Sequence, residues 1–323
     1  MMMANLNRVL IESAVRKALR DIDESPERGV RNLVDLALDF SNGRFQRTFL
    51  EMARQMLKNE KSAYFSAMKQ MVSGVEWDNI VGFGINVGYN SFTKGARIIR
   101  ETEEAEGFNI PWALTFSVRT FEEKHRSLIE QGKKLGIYTY FIFADQPDEA
   151  LLHTIKQCQD CAFVLLTDGS AITDSLLALC EGVNNLMFSV GEHMAEGCRQ
   201  LKAHRKLYSV YCVYGKQEQT VYETWLEAAA DLGAVCAMFL YGGDHAADAY
   251  DYVVEVRKSQ RLAVFPMDFR RDNMFIDSII SDDPCSAAFD LDGNLVTGEY
   301  RVCRALNGYD MPLREVFRQA FPK

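Results

Sequence analysis

The strongest constraint on this chain is a rhythm. Short runs rich in β-branched and aromatic residues begin near positions 80, 112, 138, 163, 185, 207, 234 and 262, so that they recur every 22 to 32 residues. They read IVGFGINV, WALTFSV, YTYFIFA, FVLLT, NLMFSV, LYSVYCVY, AVCAMFLY and LAVFPM. Each is apolar on consecutive positions and does not alternate, the pattern of parallel strands covered on both faces. Helical segments lie between them, among them Phe121–Leu135 and Thr220–Leu232, with Gly136 and Gly233 placed to stop them. Repeated βα units of this length form a barrel or an open doubly wound sheet. A barrel over residues 79–270 is the preferred expectation, with Trp112–Val118 as its first main strand.

The flanks differ. Residues 1–78 are helical throughout. Ser25-Pro26-Glu27 supplies a cap, a proline at the first helical position and an acid in the first turn. An apolar stripe runs to Phe40 and ends at Ser41-Asn42-Gly43, and Phe45–Leu57 and Ser62–Val75 repeat the pattern. Over residues 271–323, Ala287–Val296 reads as two short strands about an Asp292-Gly293-Asn294 turn, and Leu313–Phe321 as a last helix. The expected fold is therefore α/β: a partial or full (β/α) barrel with an all-helical N-terminal cap and a short hairpin-plus-helix tail.

A formal charge of −9 repels phosphate backbones, which argues against nucleic acid as a partner. No stretch reaches the roughly 18 apolar residues of a membrane helix, and the amphipathic N-terminus lacks the core of a secretion signal. A cytoplasmic protein with eight free thiols is expected.

Several segments together resemble one family. GFGINVGYNSFTKGARIIRETEEAEGFNIPWALTFSV, GKKLGIYTYFIFADQPDE, FVLLTDGSAITD, NLMFSVGE and FPMDFRRDNMFIDSIISDDPCSAAFDLDGNLV, in this order, are similar to radical S-adenosylmethionine (radical SAM) proteins of the Firmicutes type. The resemblance implies a partial (β/α)₆ barrel, a radical-SAM-like variant of the TIM type. It also implies a CxxxCxxC loop after the first barrel strand. In that family the loop holds three irons of a [4Fe–4S] cluster, and the fourth iron binds S-adenosylmethionine.

The positions that carry the chemistry depart from the family pattern. After Val118, Arg119-Thr120 leads straight into helix, and the 19 residues 119–137 contain no cysteine. The family's GGEP stands here as Ala144-Asp145-Gln146-Pro147, its TNG as Thr167-Asp168-Gly169, and its cysteine-ended tail as Asn294-Leu295-Val296-Thr297-Gly298. With Ser189, the positions Ala144, Asp145, Gln146 and Pro147 would be the remnant of an S-adenosylmethionine site. The reading is a degenerate member whose radical activity is lost and which has no [4Fe–4S] cluster.

Residues that follow parallel strands converge on one face of a barrel. They include Asn86, Asn90, Arg119, Asp145, Gln146, Asp168, Glu192, His193, Tyr214, Asp244, His245 and Asp268. Asp145, Asp168, Glu192, His193, Asp244 and His245 are the catalytic candidates. No metal is predicted, although Asp145, Asp168, His193 and Asp244 could hold a divalent cation. The plainer reading is that such residues cap the following helix. Cys158 and Cys161 form the lone CxxC, with helix-end packing the plainer role, and Cys285 and Cys303 flank the Asp-Gly turn. The polar stretch 88–96 could lid the mouth or merely turn the chain, and Arg270-Arg271-Asp272 reads as a solvated turn. Gly84-x-x-x-Gly88 and Gly242-Gly243 match no phosphate-loop fingerprint.

Three functions compete. The first is a pseudoenzyme binding a small molecule, a peptide or an intact radical SAM partner at the barrel mouth. The second is a metal-dependent or acid–base enzyme built on the strand-end Asp and His residues. The third is an iron–sulfur enzyme with atypical ligands, through Cys285 and Cys303. No resident cofactor is expected, with S-adenosylmethionine or a divalent metal as the possible ligands.

Overall fold

The computed structural model describes residues 2–39, 44–214, 219–241, 250–281 and 283–323. The expected stop at Ser41-Asn42-Gly43, the Gly242-Gly243 pair and the candidates Asp244 and His245 lie outside them. Six helices come first: α1 (Met2–Glu24), α2 (Pro26–Asp39), α3 (Arg44–Met56), α4 (Tyr64–Gly74), α5 (Trp77–Ile85) and, after a π-helical stretch Asn86–Gly95, α6 (Ala96–Glu106). Strands and helices then alternate: β1 (Ala113–Val118), α7 (Glu123–Leu135), β2 (Thr139–Ala144), α8 (Glu149–Gln157), β3 (Ala162–Thr167) and, after a 3₁₀ turn Gly169–Ala171, α9 (Asp174–Leu179). Next come β4 (Leu186–Val190), α10 (Met194–Ala203), β5 (Tyr208–Tyr214), α11 (Gln219–Leu232), β6 (Cys236–Tyr241), α12 (Tyr250–Ser259), β7 (Phe265–Asp268) and α13 (Phe269–Ile280). The chain ends with β8 (Ala287–Phe289), β9 (Asn294–Thr297), β10 (Val302–Asn307) and α14 (Leu313–Ala320).

All ten strands form one sheet in the order β10-β9-β8-β1-β2-β3-β4-β5-β6-β7. The seven strands β1 to β7 are parallel, and β8 joins β1 in parallel. The sheet does not close on itself, so the fold is a partial barrel. Gly136 and Gly233 end their helices at φ 96° and 81°, the left-handed backbone that a side chain resists. Phe116 stacks on His125 of α7, which puts Phe116 on the helix-covered outer face. Ser117 next to it therefore faces inward, and its row continues through Phe143, Leu166, Ser189 and Ser209.

Three expectations are corrected. The run IVGFGINV is not a strand: Ile80, Val81 and Ile85 are buried at helical spacing, and the chain is helical from Trp77 to Glu106. Stretch 88–96 is therefore no lid, and Asn86 and Asn90 are not at the mouth. They lie against the start of β3, where Asn86 Nδ2 donates to the Gln159 and Cys161 carbonyls and Asn90 Nδ2 to that of Asp160, all within 2.8–2.9 Å. Arg270-Arg271-Asp272 is no solvated turn but the first turn of α13. Asp272 is buried, pairs with Arg257 at 2.5 Å and accepts from the Asp268 backbone N–H at 3.0 Å.

Candidate functional site

The C-terminal ends of the parallel strands form the mouth. Asp168 follows β3, and its carboxylate accepts from the Ser170 backbone N–H at 2.7 Å, so the capping role holds for it. Both its oxygens also lie 3.0 Å from His193 Nδ1. Glu192 joins them: one ligand atom from each of Asp168, Glu192 and His193 falls within a 4.8 Å cluster. His193 adopts φ 50° and starts α10. The Glu192–His193 turn sits directly on Gly169, whose backbone N–H donates to the Glu192 carbonyl at 2.8 Å. A Cβ on Gly169 would collide with the His193 carbonyl, so only glycine permits this approach.

Charge polarises the pair. Hydrogen bonds from Ser170 and then His193 hold the Asp168 carboxyl below its usual value, while the bond to Asp168 raises His193. An oriented imidazole beside carboxylates can bind a cation or exchange a proton.

The other predicted residues among those described fall outside this cluster, although Asp145 acts on the same Tyr211 hydroxyl as Asp168 and Glu192 do. Asp145 and Gln146 are exposed after β2 and Pro147 is half-buried. Ala144 is buried and pairs with Val118, so its side chain faces the helices and not the mouth. Ser189 is fully buried, and its hydroxyl has no partner among the described residues. Its inner-face neighbours are bulky: Phe143 packs edge-on against Tyr211 at 6.3 Å, and Tyr211 in turn fills the space beside Gly191. Asp268 caps α13 by accepting from the Arg271 N–H at 2.8 Å, again the plainer of its two roles.

Only residues 119–122 connect β1 to α7. Glu122 caps the helix reciprocally with His125: His125 Nδ1 accepts from the Glu122 N–H at 2.9 Å, and the Glu122 side chain accepts in return. The Phe121 N–H donates to Asp148 Oδ2 at 2.7 Å. This connection is short, bonded through Phe121 and Glu122 at its helical end and free of thiols, so it does not fit a thiolate-held cluster. Sequence reading passed over Glu122-x-x-His125, whose spacing is that of a capping box.

The eight cysteines are free thiols, and none lies between β1 and β2. Burial pushes Cys180 up to about 11 and Cys198, Cys212 and Cys236 up to about 12, with Cys161 and Cys285 also well above the usual thiol value. Such groups are poor metal ligands in their protonated form.

The architecture is an unclosed, barrel-like α/β fold. The structure of SuiB from Streptococcus suis superimposes with a TM-score of 0.52 at 9% identity, over 87% of this chain and 77% of that one. SuiB bound to S-adenosylmethionine and SuiB bound to precursor peptide SuiA each give 0.51 at 9% identity, over 71% of this chain and 69% and 70% of theirs. The likeness is one of fold. No protein-family model matches the chain, and no curated protein matches its sequence. Among the described residues no helix is long and apolar enough to cross a membrane.

Proposed function

We propose that this chain is a cluster-free relative of radical SAM enzymes that uses the mouth of its partial barrel to bind a ligand and not to generate a radical. The observation that carries this reading is the passage from β1 to α7 through Arg119, Thr120, Phe121 and Glu122, tied down by His125 and Asp148. A cluster there would require thiolates on that connection and a longer loop. The change from GGEP to Ala144-Asp145-Gln146-Pro147 supports the same reading, since a close backbone approach to a ligand favours glycine. A peptide is the preferred occupant, because SuiB has been seen with its precursor peptide; S-adenosylmethionine is the competing one. The test is anaerobic reconstitution with iron and sulfide, followed by iron quantitation and visible absorbance. Background iron is expected, and stoichiometric cluster uptake would overturn the proposal.

A second reading rests on the grouping of Asp168, Glu192 and His193 within 4.8 Å, which suits a divalent cation or an acid–base pair. Thermal melting with manganese or zinc tests it, because binding to the folded state alone raises the melting temperature. A rise that disappears in Asp168→Ala supports the site, and equal rises in both proteins would end it.

A further inference from the structure

At the end of the sheet opposite the mouth, Cys158 and Cys161 flank the turn between α8 and β3. The Cys161 N–H donates to the Cys158 carbonyl at 3.0 Å. Such a turn holds its first and last Cα atoms within about 7 Å, roughly the reach of a disulfide. Side chains from other elements fix it in place. Asn185 Nδ2 donates to the carbonyls of Cys158 and Cys161, Asn86 Nδ2 to those of Gln159 and Cys161, and Asn90 Nδ2 to that of Asp160. All four carbonyls of the motif are thus held, and the dithiol form already has the short span that a bridge requires.

A cation completes the cluster. Lys133 Nζ of α7 lies 2.7 Å from Asp160 Oδ1, and Cys161 Sγ donates to the same oxygen at 3.8 Å. Cys161 is buried and Cys158 only half-buried, so a small reagent meets Cys158 first. Burial raises both thiols, Cys161 the more, and the Lys133 ammonium acts against that rise on each.

We propose that Cys158-Gln159-Asp160-Cys161 is a reversible thiol–disulfide site whose reactant is a small disulfide of the glutathione type. First the Cys158 thiolate attacks one sulfur of the reagent. The reagent's S–S bond breaks, a mixed disulfide forms on Cys158, and one thiol departs with the proton that Cys158 gave up. The Cys161 sulfur then attacks that of Cys158, and the second thiol departs with the Cys161 proton. The two cysteines lose two electrons, and the reagent gains them as two thiols. Lys133 stabilises the attacking thiolate. The site acts whether or not the mouth binds a ligand.

The experiment equilibrates the full chain with reduced and oxidised glutathione in varied ratio, quenches with acid, alkylates, and fragments the peptides by mass spectrometry. A Cys158–Cys161 bridge, two hydrogens lighter than the dithiol, is expected to grow with the oxidised fraction and to reverse with dithiothreitol. Cys161→Ser should stop at a mixed disulfide on Cys158. Lys133→Met should slow the first step by about fivefold, on the order of one nearby charge in water, and Lys133→Arg should restore the rate. Circular dichroism reports folding, and Lys133→Gln replaces Lys133→Met if that variant is unfolded. Full alkylation of Cys158 and Cys161 at every ratio, or a parent chain that stops at the mixed disulfide, overturns the proposal. An equal rate without the Lys133 charge removes Lys133 from it.

Discussion

Tyr241, the last residue of β6, stacks on Tyr300 in the turn between β9 and β10, with ring centres 4.4 Å apart and 20° between the planes. In strand order the two sit near opposite edges of the sheet, so their contact spans the side that the strands leave open. A stacked aromatic pair contributes about 0.5–1.5 kcal/mol beyond its buried area. A double-mutant cycle of Tyr241→Ala and Tyr300→Ala is expected to show that coupling in denaturant melts. Additive effects would mean that the rings merely lie near each other. Tyr300→Gly should lose less than Tyr300→Ala, because Tyr300 holds φ 59°.

His193 should titrate above its usual 6.5, because the hydrogen bond to Asp168 favours the charged imidazole. The ion pair is complete below pH 6.5 and is lost as pH rises through the raised value. Imidazole NMR reads this directly, and Asp168→Asn should bring the midpoint back down. A midpoint unchanged by that substitution would show that the contact has no electrostatic weight.

Gly169→Ala tests the seat beneath the same pair. The new Cβ would meet the His193 carbonyl and, at 3.0 Å, that of Glu192, so the turn must lift. A loss of about 1–3 kcal/mol is expected from such crowding, together with a fall in the His193 midpoint. A stable variant with an unchanged midpoint would contradict the close approach.

The cap of α7 makes an acid-sensitive element. Burial lowers His125 below its usual 6.5, and its Nδ1 accepts from the Glu122 N–H, which a protonated ring cannot do. Its stabilising effect is present above pH 6.5 and is lost as pH falls through the lowered value. His125→Gln keeps an acceptor at the position without a titration. Its melting temperature should fall less steeply than the parent's on acidification, and parallel curves would refute the assignment.

Asp277 works in the opposite direction. Its carboxyl is raised chiefly by burial, so its contribution is complete below the usual 3.8 and is lost as pH rises through the raised value. Asp277→Asn keeps an acceptor for the Trp112 N–H and should gain stability relative to the parent as pH rises. Asp277→Leu strands that N–H and should cost about 1–3 kcal/mol. Denaturant melts at two pH values separate these outcomes.

Seven strands were legible because β1 to β7 are covered on both faces and spell themselves as unbroken apolar runs. The same criterion misread residues 80–87, where an apolar run with two glycines winds as helix; the spacing of Trp77, Ile80, Val81 and Ile85 was the better guide. β10 escaped notice because half of its residues are exposed and only Leu306 is buried, so it spells no unbroken apolar run. Asp168 and His193 were both legible as strand-end residues, but their contact depends on the left-handed turn at His193 and on the space left by Gly169, which one-dimensional spacing does not encode. The bond between Asp277 and Trp112 joins residues 165 apart and leaves no local trace.

The asparagines at the opposite end of the barrel have a consequence for how much change its rim tolerates. Asn79 binds the Leu186 carbonyl and the Leu207 N–H, Asn86 and Asn90 bind the chain entering β3, and Asn185 gathers three carbonyls from residues 155–161. Strand starts are thus fastened by side chains that take no part in the rim where the acids lie. Substitutions at the rim of such a scaffold leave these fastenings untouched, so the residues there can vary while the other end keeps the architecture intact.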